Sequence, residues 1–235
     1  MGRAFEFRKA RKFKRWDAMS KAFTKLGREI AISVKQGGPD PETNPRLRTA
    51  IQNAKGVNMP KDRVESAIKR ASSKDEKDYS EINYEGYGPH GIAIFVETAT
   101  DNPNRTVANV RLHFNKGGGT LGKTGSLDFL FDRKGVFRLS SEGLNVEELE
   151  LDLIDHGAEE IFEHENEIII YTDFTDFGTM QKALEEMKLN VINAEAQRLP
   201  KTTTELTEEQ ESEVMDLIER LEEDEDVQNV YHNMK

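Results

Sequence analysis

The chain has 235 residues, 36% hydrophobic and 33% charged, a length and polarity that suit two or three small domains better than one large core. It contains no cysteine, which excludes disulfides, thiolate metal sites and a cysteine nucleophile. No apolar run approaches the ~20 residues that span a bilayer, and the start of the chain lacks the apolar core of a secretory signal. We therefore expect a cytoplasmic protein without a membrane partner.

The net charge of −11 conceals two halves of opposite sign. Residues 1–70 hold 18 Lys and Arg against 7 Asp and Glu, whereas the remainder holds 15 against 37. The basic character of residues 1–70 predicts a polyanionic partner for this part of the chain, because each cation that contacts a phosphate releases condensed counterions. The expected partner is nucleic acid, either DNA or ribosomal RNA or tRNA.

The first residues interleave cations with aromatic rings in the segment FEFRKARKFKRW. Cations in such a segment contact phosphates, and the rings stack on unpaired bases. The alternative is a solvated basic tail whose rings only hold it to the helices that follow. Charge density favours nucleic acid for the cations. The rings are Phe5, Phe7, Phe13 and Trp16, and the candidate contact residues are Arg8, Lys9, Arg11, Lys12, Lys14 and Arg15.

Three amphipathic helices are predicted next. Apolar residues recur at three- and four-residue spacing over 16–36, and an Asn-Pro pair at 44–45 and Pro60 begin two further helices. Residues 1–78, called the head below, are therefore predicted to be a basic helical domain, with the polar stretch 72–78 as its linker. The cations opposite the apolar face of the first helix are Lys21, Lys25, Arg28 and Lys35.

Strand patterns begin at residue 79. Residues 91–98 are predicted to be a buried strand, 104–115 a helix and 127–131 a second strand. The glycine-rich stretch between that helix and strand, KGGGTLGKTG, matches the literal nucleotide-loop pattern G-x-x-x-x-G-K-[ST]. Such a loop must follow a strand and open a helix, so we predict instead a loop whose amides, Lys116 and Lys123 contact a phosphate backbone.

The next part of the chain predicts an inserted domain. Residues 135–200 alternate as strand, helix, strand, strand, helix, strand, the order of a ferredoxin-like sandwich. An acidic helix over 208–223 and a last strand over 226–231 follow. The last strand must pair with a sheet. We expect it to pair with the strands of residues 79–133, because residues 135–200 already supply four strands of their own. The predicted α+β division is therefore a head, a split middle domain (79–133 plus 201–235) and an inserted third domain (134–200).

Catalysis has no support in the residue pattern. The five histidines are scattered, none of them lies four residues from another, and no cysteine is present. We therefore predict no enzyme, no cofactor, no metal and no small-molecule substrate. The acidic face of the 208–223 helix indicates a solvated surface, and the alternative is that it competes with nucleic acid for the head.

Several stretches resemble the YebC/PmpR family. They are residues 23–71 (FTKLGREIAISVKQGGPDPETNPRLRTAIQNAKGVNMPKDRVESAIKRA), residues 98–137 and the terminal DVQNVYHN. The resemblance implies three domains, DNA binding in the many members called probable transcriptional regulators, and a role in translation for others. These include the mitochondrial translational activator of cytochrome oxidase subunit I and bacterial members linked to ribosomes stalled on proline-rich sequences. By matching motif, it also implies contact roles for Arg46, Arg48, Asn102, Asn104, Arg105 and Arg111, beside Lys25, Arg28 and Lys35.

Two departures from the family pattern concern contact residues. Many members begin with a stretch like HSKWxNIKHRK, where this chain has GRAFEFRKARKFKRW, so charge is kept while the identities are not. Pro103 stands where the TDN-x-NRT stretch often has a cation, which removes one charge and one backbone donor.

Three functions remain open at this point. The first is a DNA-binding transcriptional regulator, and the second is a ribosome-associated translation factor that binds rRNA or tRNA. The third is a protein-interaction module that uses the acidic part of the chain. The chain has abundant phosphate-binding charge but no recognised base-reading helix, and this favours the ribosome as the physiological partner. We also expect DNA binding to be measurable at low salt.

Overall fold

The computed structural model describes residues 3–73 and 78–235, with side chains from residue 19 onward. The six cations and four rings predicted to contact nucleic acid between residues 5 and 16 lie outside the described side chains. The centre of the predicted linker, residues 74–77, also lies outside the described part. The chain forms two compact units, residues 1–78 (the head) and 79–235, called the body below.

The described residues of the head form three helices. They are α1 (Arg3–Gly37), α2 (Pro45–Gly56) and α3 (Lys61–Ala71), so the first helix begins well before residue 16, where it was predicted to start. Asn44 begins α2 by accepting the Leu47 N–H at 3.1 Å, while its amide donates to the Ser33 carbonyl at 2.7 Å and the Gly38 carbonyl at 2.8 Å. This single side chain therefore fastens the end of α1, the turn and the start of α2 to one another.

The apolar face of α1 is wider than its sequence predicted. Ile32, which interrupts the cationic stripe, is only 4% exposed, while Met19 at the other end is 44% exposed. All five residues from Ile30 to Val34 are buried, because α2 and α3 pack around this end of α1. The partners that α2 and α3 contribute to the core include Leu47, Ala50, Ala54, Val64 and Ala67.

The body contains two four-stranded antiparallel sheets. The first has the order β3-β1-β2-β8 and the second the order β5-β6-β4-β7. The strands are β1 (Ser80–Tyr87), β2 (Ala93–Thr100), β3 (Thr120–Leu121), β4 (Phe131–Ser140), β5 (Ala158–His164), β6 (Glu167–Asp173), β7 (Val191–Pro200) and β8 (Val227–His232). The helices are α4 (Pro103–Lys116), α5 (Val146–Leu153), α6 (Phe177–Glu186) and α7 (Glu208–Glu222).

The first sheet is completed by β8, as the strand pattern predicted. Phe95 of β2 pairs with Tyr231, and Val96 with Val230, in antiparallel register. Helices α4 and α7 cover one face of this sheet through a core that includes Val110, Phe114, Val214, Leu217, Ile92 and Ile94. Residues more than a hundred positions apart thus form one core.

The second sheet has the predicted ferredoxin-like order, in which two strand–helix–strand halves interleave. Helices α5 and α6 pack on one face of it through Phe137, Leu139, Leu153, Ile170 and Leu184. The α+β class is thereby confirmed.

The predicted strand over residues 127–131 is wrong. Asp128–Leu130 form a single 3-10 turn, and Phe131 is already the first residue of β4. The reason is that Leu127 and Phe131 both enter one apolar cluster beneath Phe95. Four residues of extended strand would hold these two residues about 13 Å apart, whereas a 3-10 turn brings them to about 8 Å, close enough to share one cluster.

The boundary between the two sheets is tightly bonded. The Arg198 guanidinium lies over the Phe95 ring, 3.8 Å from its centroid, and forms ion pairs with Glu97 at 3.3 Å and Asp128 at 2.7 Å. Burial, with Glu97 nearby, raises the pKa of Tyr231 well above its ordinary value. We propose the division into 79–133 with 201–235 and an inserted 134–200, in which β4 crosses the first boundary and carries the chain from one sheet region into the other.

Candidate nucleic-acid interface

The cations of α1 form a stripe along one side of the head. Lys21, Lys25 and Arg28 are half-buried, and Lys35 near the helix end is exposed. Lys35 lies 3.2 Å from the Asp78 carboxylate. Spacings of three, four and seven residues place all four on one side of the helix, as the sequence predicted.

Arg46 and Arg48 of α2 have partners inside the head. Arg46 binds both carboxylate oxygens of Glu29, at 2.8 and 3.1 Å, and donates to the Gln36 side chain at 2.8 Å. Arg48 donates to the Pro41 carbonyl at 2.9 Å. A forked contact of this kind fixes both the direction and the charge of the guanidinium, so these two arginines join α2 to α1 and to the turn before α2.

Asn102 and Pro103 begin α4. Asn102 caps the helix by accepting the Arg105 N–H at 3.2 Å, and Pro103 occupies the first turn. The backbone donor that Pro103 lacks would have no partner inside the helix there, and its fixed φ suits the position. The proline therefore lowers the charge of the stretch without a structural cost. Asn104, the next residue, is exposed.

Arg105 is held by a nearly buried carboxylate. Its guanidinium donates to Asp226 at 2.7 and 2.8 Å and to Asp101 at 2.9 Å. The Asp226 residue is 2% exposed and also accepts the Thr106 hydroxyl at 2.8 Å and the Thr100 hydroxyl at 3.2 Å. Hydrogen bonds to Asp226 and Asp101 raise the pKa of Arg105. Arg105 therefore connects the start of α4 to the end of β2 and to the residue that precedes β8.

Further along α4 the same side of the helix continues this contact. The Asn109 amide donates to the Asp224 carboxylate at 3.0 Å, and His113 Nε2 lies 3.4 Å from it. Positions 105, 109 and 113 follow a four-residue spacing, which places them on one face. The turn before β8 is thus bound along the length of α4.

The remaining predicted cations of the body are exposed. Arg111 and Lys116 lie on α4, and Lys123 lies in the glycine loop. Among residues 19–73 and 78–235, no carboxylate lies within ion-pair distance of these three side chains. They are available to an external anion in a way that Arg105 is not.

The glycine loop is bound to a buried carboxylate of its own chain. Glu85 on β1 is 2% exposed and accepts the Gly125 N–H at 2.6 Å and the Leu127 N–H at 2.5 Å. The Glu85 carbonyl accepts the Gly122 N–H at 2.7 Å, and Gly119 donates to the Phe114 carbonyl at 2.8 Å. A nucleotide loop turns such amides toward phosphate, whereas here they hold the loop against β1 and the end of α4.

Close packing explains part of the glycine content of the loop. A Cβ at Gly119 would lie 2.5 Å from the Tyr87 carbonyl oxygen, and Gly118 has a φ of +71°. Neither position accepts an ordinary side chain without rearrangement. The loop begins where helix α4 ends and contains the two residues of β3, whereas a nucleotide loop follows a strand and opens a helix.

Sequence reasoning missed a concentration of charge in the body. Residues 102–138, called the basic segment below, hold seven of the thirteen Lys and Arg of the body and only two of its thirty-four Asp and Glu. A windowed charge count would have found it. The members not predicted as contacts are Arg133, Lys134 and Arg138.

These three added cations differ in their surroundings, and Arg138 lies 3.9 Å from the Glu167 carboxylate. Arg133 lies over the Phe174 ring, 3.6 Å from its centroid. Lys134 lies 2.7 Å from Glu159, and the hydrogen bond that it donates to that carboxylate raises the pKa of Lys134. Arg133 therefore adds to the exposed cations of the basic segment, while the charge of Lys134 is matched within the fold.

The described residues contain no cluster of His, Asp or Glu side chains that could hold a metal ion. In the same part of the chain, no helix combines the length and the apolar character that crossing a bilayer requires.

Fold and surface together define a class of protein: an α+β protein that joins a basic helical head to an acidic two-sheet body with one basic segment. Two family descriptions match the chain, the TACO1/YebC N-terminal domain over residues 3–74 and the TACO1/YebC second and third domain over residues 79–234.

Relatives match over nearly the whole chain. A "probable transcriptional regulatory protein" of Cytophaga hutchinsonii is 64% identical over 234 residues, which cover 100% of this chain and 98% of that protein. A protein of Parabacteroides distasonis with the same description is 61% identical, covering 100% and 97%. The crystal structure of the conserved hypothetical protein Aq1575 from Aquifex aeolicus is 40% identical, with a TM-score of 0.81, covering 92% of this chain and 90% of that one. The chain belongs to the TACO1/YebC family.

Proposed function

We propose that this protein is a nucleic-acid-binding regulator of gene expression without catalytic activity. The observation that carries the proposal is the charge distribution, in which two basic regions stand out from an otherwise acidic chain. Residues 1–70 carry 18 cations against 7 carboxylates, and the basic segment 102–138 carries 7 against 2. Cations concentrated in this way bind phosphates through counterion release.

We divide the candidate residues into two groups by their place in the fold. We assign phosphate contact to the α1 stripe of Lys21, Lys25, Arg28 and Lys35 and to exposed Arg111, Lys116 and Lys123 of the body, with exposed Asn104 as a neutral donor. We assign positioning roles to Arg46, Arg48, Asn102 and Arg105, because their hydrogen bonds join separate elements or cap a helix.

The names of the relatives favour transcription, in which case the partner is promoter DNA. The alternative is a ribosome-associated translation factor that binds rRNA or tRNA. Phosphate contacts position a protein on nucleic acid without reading its sequence, whereas a folded RNA can be recognised by its shape. Cations spread over two units suit a broad folded surface, and this observation favours the ribosomal alternative.

The test of nucleic-acid binding is a triple substitution of Lys21, Lys25 and Arg28 by Gln. We expect weaker binding and a shallower dependence of log K on log salt, by about 0.9 for each lost contact with a duplex phosphate. Folding should persist, because the apolar face of α1 is left intact. The matched control replaces Lys182, Lys188 and Arg220 by Gln, an equal loss of charge on the acidic surface. Equal salt slopes for the two variants would contradict the proposal.

A second experiment decides between DNA and the ribosome. Labelled promoter DNA is bound near physiological salt and challenged with excess unrelated duplex, and the native protein is sedimented with ribosomes in parallel. Loss of DNA under competition together with ribosome co-sedimentation supports the ribosomal role. A complex that persists on one promoter without co-sedimentation supports transcription, since a regulator must exceed its non-specific affinity by a factor of roughly a thousand.

A further inference from the structure

Phe129 is an exposed aromatic side chain on a firmly anchored turn. It lies in the 3-10 turn Asp128–Leu130 after the glycine loop and is 66% exposed. Preceding it, Leu127 is fully buried with its N–H on Glu85, and Asp128 lies 2.7 Å from the Arg198 guanidinium. The backbone that leads into Phe129 is therefore fixed by an apolar contact, a hydrogen bond and an ion pair.

The chain that follows Phe129 is fixed as well. The Leu130 carbonyl accepts the Lys201 N–H at 2.9 Å. Phe131 is 4% exposed and meets the Phe95 ring edge-on, with centroids 6.1 Å apart. The Phe129 ring, in contrast to the rings of Phe131 and Phe95, projects into water. Folding gains little from a ring that stays exposed to water, and its aromatic face is accessible to a ligand.

Cations lie on both sides of the ring along the chain. Phe129 belongs to the basic segment 102–138, and Lys123, six residues earlier in the same loop, is exposed. The other side of the turn leads into β4 and its exposed Arg133. The acid within the turn, Asp128, pairs with Arg198, which also pairs with Glu97. An exposed aromatic ring within a cationic stretch of chain is a combination with which proteins bind unpaired nucleotides.

We propose that Phe129 is a stacking platform for an unpaired nucleobase, with Lys123 and Arg133 contacting the adjoining phosphates. The proposal rests on the function proposed above and specifies its ligand as a single strand. The anchoring of Leu127, Asp128 and Phe131 holds the ring in place before the ligand arrives, which lowers the entropy that binding must overcome.

The test compares the binding of three probes to the full chain. They are a 12-nucleotide oligouridine RNA, an oligothymidine DNA of equal length and a 12-base-pair duplex. We expect Phe129→Leu to weaken single-strand binding by about 5- to 100-fold, the range of one stacked base, and to leave duplex binding unchanged. Phe129→Trp should restore the affinity, because it keeps an aromatic face. Leu112→Ala, which removes an exposed aliphatic side chain of the same segment, should change nothing.

The outcomes separate this proposal from the one it rests on. If Phe129→Leu weakens binding of both the RNA and the DNA single strand, the site accepts any unpaired base. If it weakens binding of the RNA alone, the site is specific for RNA. If wild-type protein binds but Phe129→Leu binds as tightly, or Trp fails to restore affinity, the platform is wrong and a protein pocket is the better partner for the ring. If wild-type protein binds none of the probes, the proposed function itself fails.

A direct readout is photo-crosslinking with 5-iodouridine in the RNA. Coupling should map to Phe129 in the tryptic peptide 124–133, because trypsin cleaves after Lys123 and after Arg133. Coupling confined to other peptides would overturn the assignment.

Discussion

Replacing Glu85 by Gln should loosen the loop that carries Lys123 and Phe129. The carboxylate is nearly buried and accepts two backbone N–H groups, those of Gly125 and Leu127. Gln retains one acceptor and turns an amide N–H₂ toward the second donor, so that one buried N–H loses its partner. A hydrogen bond to a charged acceptor contributes about 1.5–3 kcal/mol, and an unpaired buried group costs about 1–3 kcal/mol. We expect the free energy of unfolding of the body to fall by about 2–4 kcal/mol.

Two measurements check this value. Urea denaturation gives the change in the free energy of unfolding, and amide hydrogen exchange reports whether Gly125 and Leu127 lose protection before the rest of the body. Glu81→Gln is the control, because Glu81 is an exposed carboxylate on the same strand and should change stability by less than about 0.5 kcal/mol. If Glu85→Gln also changes stability by less than that amount, or if both amides keep their protection, the carboxylate does not hold the loop.

Two further predictions concern acid stability and catalysis. Burial lowers the pKa of His232, so the stability that its neutral ring contributes is present above about pH 6.5 and is lost as the pH falls through the lower folded pKa. His232→Asn should therefore flatten the decline in melting temperature between about pH 7.5 and 5.5, and equal declines would contradict this. Phosphate release from ATP or GTP should stay at background with wild-type protein and with Lys123→Ala, because the glycine loop is bound to β1. Turnover that depends on Lys123 would overturn the non-enzymatic assignment.

Periodicity and strand counting predicted most of the fold. Residues 135–200 supply the four strands of a complete ferredoxin-like sheet, so the last strand had to pair elsewhere, and it pairs with β2. The turn at residues 128–130 could not be predicted in this way. Its sequence LDFLF has the composition of a buried strand, and only the shared burial of Leu127 and Phe131 beneath Phe95 shows why the chain turns there.

The candidate site was harder to predict, because a sequence shows a charge without its partners. Arg105 and Arg111 look alike as cations of one helix, yet Arg105 is engaged by Asp226, which lies 121 residues away, and Arg111 is exposed. Glu85 looked like one more acid in an acidic chain, and only its burial shows that it holds the glycine loop. Long-range partners of this kind follow from the fold rather than from local pattern.

The pairing of β2 with β8 has a consequence for folding during synthesis of the chain. About 130 residues separate the end of β2 from the start of β8, and at about 5–20 residues per second a translating ribosome needs roughly 6–25 s to make them. During that interval the edge of β2 that pairs with β8 has no partner strand. For most of the same interval α7, which covers Ile92 and Ile94, has not been synthesised either. The ferredoxin-like sheet, whose strands all lie between residues 131 and 200, is complete earlier. The nascent chain therefore acquires its inserted sheet first and closes the surrounding one afterward.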